Sequence, residues 1–350
     1  MLNTKVTKLP GSMVEIEGEL DAPVFEAYYP KALAKLGEHV QIDGFRKGKV
    51  PESVLVSKIP EISILEEMAE MALGEHYPKI IEAEKIDVIS RPEIAITKLA
   101  RNNPLGFKIK TAIMPEVKLA DYKSLAKKVI GAVTDEEKNI VVTDEDLENT
   151  IMDIRKSRAP KVHMAEHAQV EGEVAPEPEL PIFDDEFVKG LGPFEGVEDF
   201  RSKLRENIKL EKMNAQKEKT RLKIIEDVIT ESTMDLPEIL IDAELDKILY
   251  RMESDITQMG LKFEDYLKHL NKKVEDLRKD FRADAEKKAK LALVLHEIAN
   301  KESIKADDDT VSKEVAHILE HYKDADPERA RMHAENVLTN EKIFQFLETQ

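Results

Sequence analysis

Hydrophobic and polar positions alternate in two stretches near the beginning of the chain. From Val14 to Leu20, apolar residues and Gly18 alternate with glutamates. From Phe107 to Ile113, three apolar residues and Thr111 occupy every second position, with Lys108 and Lys110 between them. A period of two is typical of a β-strand with one face in solvent. Ile94 to Ile96 is a shorter candidate. Together these three segments predict a small sheet.

Apolar residues at helical spacing occur between these strands and after them. Glu61 to Glu84 predicts a helix long enough to cover one face of the sheet. Pro23 to Leu36 predicts another helix, which Pro30 should kink or break. Further along, Thr143 and Asp146 have the spacing of a capping box, which indicates a helix start.

Beyond residue 160 the composition changes twice. From His163 to Pro181 there are five Glu, three Pro and no Lys, Arg or aromatic residue, a composition typical of an extended linker. Val197 to Thr233 then predicts one helix of about 55 Å. Its middle, Glu211 to Arg221, is nearly all polar and should be poorly buried. Further helices are predicted from Pro237 to Gly260, Phe263 to Leu270, Val274 to Lys301, Thr310 to Tyr322 and Glu341 to Leu347.

These patterns predict four parts of the chain. Residues 1–115 form an N-terminal domain, 116–160 a connecting arm with one helix, 161–181 an acidic Pro-containing linker, and 182–350 a helical C-terminal domain. The predicted fold class is an α+β N-terminal domain, with a small antiparallel sheet and helices, followed by an extended, mainly α-helical domain.

Composition and charge exclude several functional classes. Because the chain contains no Cys, it has no disulfide, thiolate nucleophile or Cys-ligated metal site. The formal charge of −18 argues against a protein that coats nucleic acid along its whole length. Residues 1–115 carry only −2 of that charge, so an anionic partner should meet this part of the chain. Without a signal peptide or a long apolar run, the chain is predicted to be cytoplasmic, with no membrane partner.

The most informative motif is Asp43-Gly44-Phe45-Arg46-Lys47-Gly48-Lys49-Val50-Pro51. Its glycines and proline predict a surface loop, and therefore an exposed Phe45 beside cations. Such a ring could enter an apolar pocket while Arg46 and Lys47 bind phosphates or carboxylates. The alternative, in which Phe45 packs onto its own domain, is equally compatible with these residues.

The pattern Gly44-Phe45-Arg46-x-Gly48-x-x-Pro51 resembles the ribosome-docking signature of the bacterial trigger factor family. The resemblance continues through residues 114–117, 180–208, 260–267 and 340–347. It implies an ATP-independent chaperone, with residues 1–115 binding the ribosome and 182–350 binding clients. In that family the loop contacts a ribosomal protein and ribosomal RNA near the exit tunnel of the large subunit. The resemblance therefore assigns ribosome binding to Gly44, Phe45, Arg46, Lys47, Gly48 and Pro51.

The implied function is to bind unfolded nascent polypeptides, to prevent their premature folding or aggregation, and to assist folding or export. The family usually carries an FKBP-type prolyl isomerase domain between the positions of Arg158 and Leu180. Here those positions are too close for a domain of more than ~40 residues. The domain is predicted to be missing, so no catalytic residue is assigned, no cofactor is expected, and the chain is predicted not to be an enzyme.

Two alternatives remain open at this stage: a trigger-factor-like prolyl isomerase with residual activity, and a helical export adaptor that binds one defined partner. A homodimer off the ribosome is one of the oligomeric states that the sequence leaves open. The segments His163–His167 and His317–His321 match H-x-x-E-H, a spacing used by zinc metallopeptidases. Both are interpreted as solvated positions, so no metal site is predicted. The client-binding residues are left unassigned.

Overall fold

The computed structural model describes residues 2–41, 45, 50–159 and 180–350. Its N-terminal part contains an antiparallel sheet of four strands: β1 (Leu2–Leu9), β2 (Met13–Leu20), β3 (Glu93–Lys98) and β4 (Leu105–Ala112). Their order in the sheet is β1-β2-β4-β3. The three predicted strands correspond to β2, β3 and β4 and are confirmed. Strand β1 was not predicted, because Thr4, Lys5, Thr7 and Lys8 leave its sequence mostly polar.

Four helices pack with this sheet: α1 (Ala22–Glu26), α2 (Tyr29–His39), α3 (Glu52–Lys58) and α4 (Glu61–Glu84). The break predicted near Pro30 is present, because α1 ends before Ala27 and Pro30 lies in the first turn of α2. A proline in that position removes no intrahelical hydrogen bond. Ile16 and Phe107 of the sheet and Met68 of α4 are fully buried in one apolar core.

The connecting segment contains β5 (Val117–Lys118), α5 (Tyr122–Ala132), α6 (Asp135–Lys138) and α7 (Asp144–Arg158). The prediction of one helix in this segment is therefore wrong. Helix α5 was not predicted because lysines at 123, 127 and 128 leave only a short apolar pattern in its sequence. The capping box of α7 is confirmed: the Asp146 amide donates to Thr143 Oγ1 at 3.1 Å, and the Thr143 amide donates to the Asp146 carboxylate at 2.9 Å.

The remaining elements are almost all helical, which confirms the predicted fold class. They are α8 (Asp185–Lys189), α9 (Val197–Glu231), β6 (Thr233–Met234), α10 (Glu238–Gln258), α11 (Phe263–Leu270), α12 (Val274–Asp280), α13 (Arg282–Glu302), α14 (Asp308–His321) and α15 (Pro327–Glu348). Strand β6 pairs with β5. The long helix is confirmed as α9, and no residue between Ile208 and Arg221 in it is buried.

Several helix boundaries differ from the prediction. Pro237 precedes α10 as its N-cap, and Gly260, with φ +79°, follows its C-cap. The segment predicted as one helix from Val274 is divided at Phe281 into α12 and α13. The last helix begins at Pro327, well before Glu341, because small residues carry much of its buried face and give a weak apolar pattern.

The described residues group into two compact units. Unit 1 contains Met1–Ala120 and Glu231–Ser303, and unit 2 contains Asp121–Thr230 and Ile304–Gln350. Grouping by proximity does not test the functional division into residues 1–115, 116–160, 161–181 and 182–350, which stays a prediction. Most of the predicted acidic linker lies outside the described residues.

Candidate docking site

The predicted docking motif lies between α2 and α3 of unit 1. Gly44, Arg46, Lys47 and Gly48 are outside the described residues, whereas Phe45 and Pro51 are described. Phe45 is 40% exposed. It is absent from the described side chains that pack against the core of this unit. The prediction that Phe45 is exposed is therefore confirmed, and its role in binding stays a prediction.

Both ends of the motif are attached to the folded domain. On the N-terminal side, Val40 packs against the core, and its amide donates to the Leu36 carbonyl at 3.1 Å. On the C-terminal side, Val50 packs against the same core. Pro51 is the N-cap of α3, and its carbonyl accepts hydrogen bonds from the amides of Val54 and Leu55 at 3.0 and 3.1 Å. The chain therefore enters and leaves the motif at fixed positions.

Close packing of α2 on α3 sets the distance between those two ends. Gly37 of α2 is buried against Leu55 of α3, and a Cβ atom added to Gly37 would lie 2.7 Å from Leu55 Cδ1. Leu55 itself is 6% exposed. A larger residue at position 37 would have to displace this side chain from a well-packed interior. These two supporting residues were not predicted, because their contact depends on how the helices pack.

A polar network connects the beginning of α2 to α4. The Tyr28 hydroxyl donates to Glu75 Oε2 at 2.8 Å, and Lys79 Nζ donates to Glu75 Oε1 at 2.9 Å. The hydrogen bond from Lys79, together with that from Tyr28, lowers the pKa of Glu75 to about 2. Burial, reinforced by Glu75, raises the pKa of Tyr28 to about 12. Lys35 of α2 also pairs with Glu67 of α4, and this hydrogen bond raises the Lys35 pKa.

The lowered pKa of Glu75 predicts a specific acid sensitivity. Since folding moves this pKa from an ordinary value of 4.5 to about 2, the stabilisation is complete above pH 4.5 and is lost as the pH falls towards 2. We expect Glu75→Gln to lower the Tm near pH 7 and to reduce the further loss of Tm between pH 4.5 and 2. Thermal unfolding followed by circular dichroism measures both effects. Glu82→Gln on the same helix is the control, and an equal acid response in the two variants would contradict the prediction.

Within the described residues, the site consists of the exposed ring of Phe45 and the helices that support the motif. No metal-binding or membrane-spanning feature is found in this part of the chain. Within the described ranges, no group of three or more His, Cys, Asp or Glu side chains could hold a metal ion. His317 and His321 lie on α14 with ring centroids 4.5 Å apart, edge to face. The other motif, His163–His167, is outside the described residues. No helix in the described part is long and apolar enough to cross a membrane.

Two family models match the chain. One, described as bacterial trigger factor protein (TF), matches residues 2–154, and the other, its C-terminus, matches residues 196–347. The chain belongs to the bacterial trigger factor family. The two models leave residues 155–195 between them, which is the region where the sequence predicts a missing isomerase domain.

Relatives that align over most of the chain support its membership of this family. The trigger factor of Halalkalibacterium halodurans is 26% identical, and the alignment covers 92% of this chain and 91% of the relative. The trigger factor of Carboxydothermus hydrogenoformans is also 26% identical, with coverage of 95% and 94%. The first alignment extends over 399 residues, more than the 350 of this chain. That relative therefore contains residues that have no counterpart here.

A solved structure shows the same fold. This structure, "Promiscuous Substrate Recognition in Folding and Assembly Activities of the Trigger Factor Chaperone", matches with a TM-score of 0.56 and 18% identity, covering 99% of both chains. At this identity the similarity concerns the fold alone. It agrees with the small antiparallel sheet and the mainly helical remainder described above.

Proposed function

We propose that this chain is a ribosome-associated chaperone that binds nascent polypeptides at the exit of the large ribosomal subunit without using ATP. The observation that carries the proposal is the exposed Phe45, which lies between fixed ends in a Gly-Phe-Arg motif of a trigger factor family member. An exposed aromatic residue next to Arg46 and Lys47 suits a surface made of protein and RNA. In this proposal Gly44, Gly48 and Pro51 shape the loop, and the chain acts in the cytoplasm.

The proposed mechanism is holding by proximity. Docking through residues 1–115 raises the local concentration of the chaperone around an emerging chain, so weak contacts become populated. The body formed by residues 182–350 carries exposed apolar side chains that could make such contacts, including Leu222, Tyr250 and Met259. Residues 116–350 also carry a net charge of −16, which should limit nonspecific adhesion to ribosomal RNA. The chain contains no phosphate-binding motif of the G-x-x-x-x-G-K-[ST] type.

Sedimentation with ribosomal subunits tests the docking part of this proposal. The purified chain should pellet with isolated large subunits and should stay in solution with isolated small subunits. It should also reduce light scattering by a refolding client protein when no nucleotide is present. Equal pelleting with both subunits would contradict the proposed docking position, and unchanged scattering would contradict the chaperone activity.

We further propose that the chain does not catalyse prolyl isomerisation. Catalysis of this kind requires a pocket that binds the twisted amide more tightly than the ground state, and the residues between Arg158 and Leu180 are too few to form an isomerase domain. The rate of cis/trans isomerisation of a proline peptide, measured by a protease-coupled assay, should equal the uncatalysed rate. Acceleration that follows the protein through successive purification steps would show that an isomerase site exists.

A further inference from the structure

Strand β3 forms an edge of the sheet and is unusually exposed. Among the described residues it pairs with β4 alone, and all six of its own residues are exposed. Ile94 lies opposite Ile109, and Ile96 lies opposite Phe107. Residues directly opposite each other in an antiparallel pair point to the same face of the sheet. Ile94 and Ile96 therefore extend the apolar face of the core onto an edge where they remain 45% and 40% exposed.

A groove runs between this edge and helix α4. We call it the β3 edge groove, and it is lined by Leu73 and Tyr77 of α4 and by Pro92, Ile94 and Ile96. The lining is mainly apolar, which suits the side chains of a bound segment. The buried hydroxyl of Tyr77 has no hydrogen-bond partner among the described residues.

The backbone of the edge is available for pairing. Apart from the ladder with β4, no backbone hydrogen bond is formed by residues 93–98 within the described part of the chain. Edge strands of this kind are usually protected by a charge, a proline or a bulge that prevents pairing with another chain. Here residues 94–97 contain neither charge nor proline, and the bulge occurs only between Ile96 and Lys98. An extended segment could therefore add to the sheet beside β3.

The charge at the rim limits which segment fits. Glu66 and Glu70 line the groove on the α4 side, are exposed, and form no ion pair with a described residue. Lys35, whose pKa is raised in part by Glu70, is paired with Glu67. No Lys or Arg belongs to the described lining of the groove. A complementary partner therefore carries Lys or Arg next to its apolar residues.

We propose that the β3 edge groove binds an extended client segment as an additional strand of the sheet, with alternate apolar side chains in the groove and a basic residue near Glu66 and Glu70. Strand addition combines backbone hydrogen bonds, which tolerate many sequences, with pockets for alternate side chains, which select among them. This inference rests on the proposed chaperone function and specifies a class of client segment: alternating apolar sequences flanked by Lys or Arg.

Fluorescence anisotropy with labelled peptides tests the inference on the full chain. The probe is a peptide of about ten residues that alternates Val and Thr between terminal arginines. A second peptide has glutamates in place of the arginines, and a third keeps the arginines but is N-methylated at alternate backbone positions. We expect the first peptide to bind about tenfold more tightly than the second, and the third to lose binding because it cannot pair with β3. Equal binding of all three would overturn the inference.

Variants then locate the binding. Glu66→Lys combined with Glu70→Lys should reverse the preference between the two charged peptides, because both positions are exposed and only the rim charge changes. Ile94→Thr combined with Ile96→Thr keeps β-branched residues in the strand and should weaken the binding of both charged peptides. Glu82→Lys, on α4 but outside the groove, is the control and should leave the preference unchanged. If the control changes it as much as the double Lys variant, the groove is not the binding site.

These measurements need no ribosome, so the two proposals can fail separately. If the chain suppresses aggregation but does not distinguish the peptides, the groove inference is wrong and the proposed function stands. If it distinguishes them but neither pellets with ribosomes nor suppresses aggregation, the groove binds strands and the proposed function is wrong. Self-association that is abolished by the Ile94 and Ile96 changes, without peptide binding, would assign the groove to a second copy and overturn the inference.

Discussion

Replacing Phe45, Arg46 and Lys47 together by alanine should abolish sedimentation of the chain with ribosomes while leaving its circular dichroism spectrum and Tm nearly unchanged. Phe45 is exposed and lies outside the packed core, so its removal creates no cavity. Anchor residues at interfaces contribute ~2 kcal/mol or more each. A loss of ~4 kcal/mol or more would weaken binding by at least about a thousandfold.

A control with the same number of apolar and basic residues separates docking from general surface charge. Ile62, Lys58 and Arg91 are one apolar and two basic residues on the exposed surface of the same unit. Replacing these three by alanine should leave ribosome sedimentation intact. If the Phe45 triple variant still pellets normally, the docking assignment is wrong. If its Tm falls strongly, Phe45 packs onto its own domain and the alternative interpretation of the motif is correct.

The sheet shows how much strand structure a sequence pattern can predict. Strand β2 was predictable because one of its faces is buried and the other is wet, so its apolar and charged residues alternate. Strand β1 pairs with β2 along its whole length, from Leu2 opposite Leu20 to Leu9 opposite Met13. Its polar sequence carries no such alternation. The pairing partner, rather than its own pattern, determines that this segment is a strand.

Pairings between distant residues could not be predicted. Val117 pairs with Met234 in the short ladder of β5 and β6, and each of these strands has only two residues. The Ser12 amide donates to Asp235 Oδ2 at 2.9 Å. Neither contact has a local signature, because strands of two residues are too short for a period and a single hydrogen bond leaves no pattern.

The docking motif was partly predictable. Its glycines, its proline and Phe45 predict a surface loop from local conformational preferences alone. The supports on either side, Gly37 against Leu55 and Tyr28 bound to Glu75, depend on tertiary packing. Resemblance to the family added a role for the loop that neither residue chemistry nor periodicity could supply.

Helix α9 contains the clearest difference between a local pattern and its tertiary environment. Arg221 belongs to the segment predicted to be polar and exposed, yet it is only 7% exposed. Its Nη1 and Nη2 atoms donate to the two Glu341 carboxylate oxygens, each at 2.8 Å, and its Nε donates to Glu348 Oε1 at 2.5 Å. The guanidinium also lies 5.3 Å from the ring centroid of Phe344. Three residues of α15 thus bind one arginine of α9.

The Arg221 cluster places two carboxylates beside one guanidinium. The hydrogen bond from Arg221 lowers the pKa of Glu341. Glu341 and Glu348 are 41% and 22% exposed, so both retain some water. A bidentate arginine–carboxylate pair is among the strongest polar contacts in proteins. Removing Arg221 leaves the two carboxylates near each other with the more exposed Lys217, which lies 3.4 Å from Glu348, as the remaining described counter-charge.

Arg221→Ala should therefore lower the free energy of unfolding of unit 2 by about 2 to 3 kcal/mol, a value below that of a fully buried pair because the carboxylates are partly solvated. The loss should appear first in α15, as faster hydrogen exchange of its backbone amides. Arg205→Ala is the matched control, because Arg205 also lies on α9 but forms an exposed pair with Asp144, and it should cost less than about 1 kcal/mol. Urea unfolding of both variants measures the free energy of unfolding, and hydrogen exchange measures the opening of α15. Equal losses in the two variants, or unchanged exchange in α15, would show that the Arg221 cluster does not attach α15 to α9.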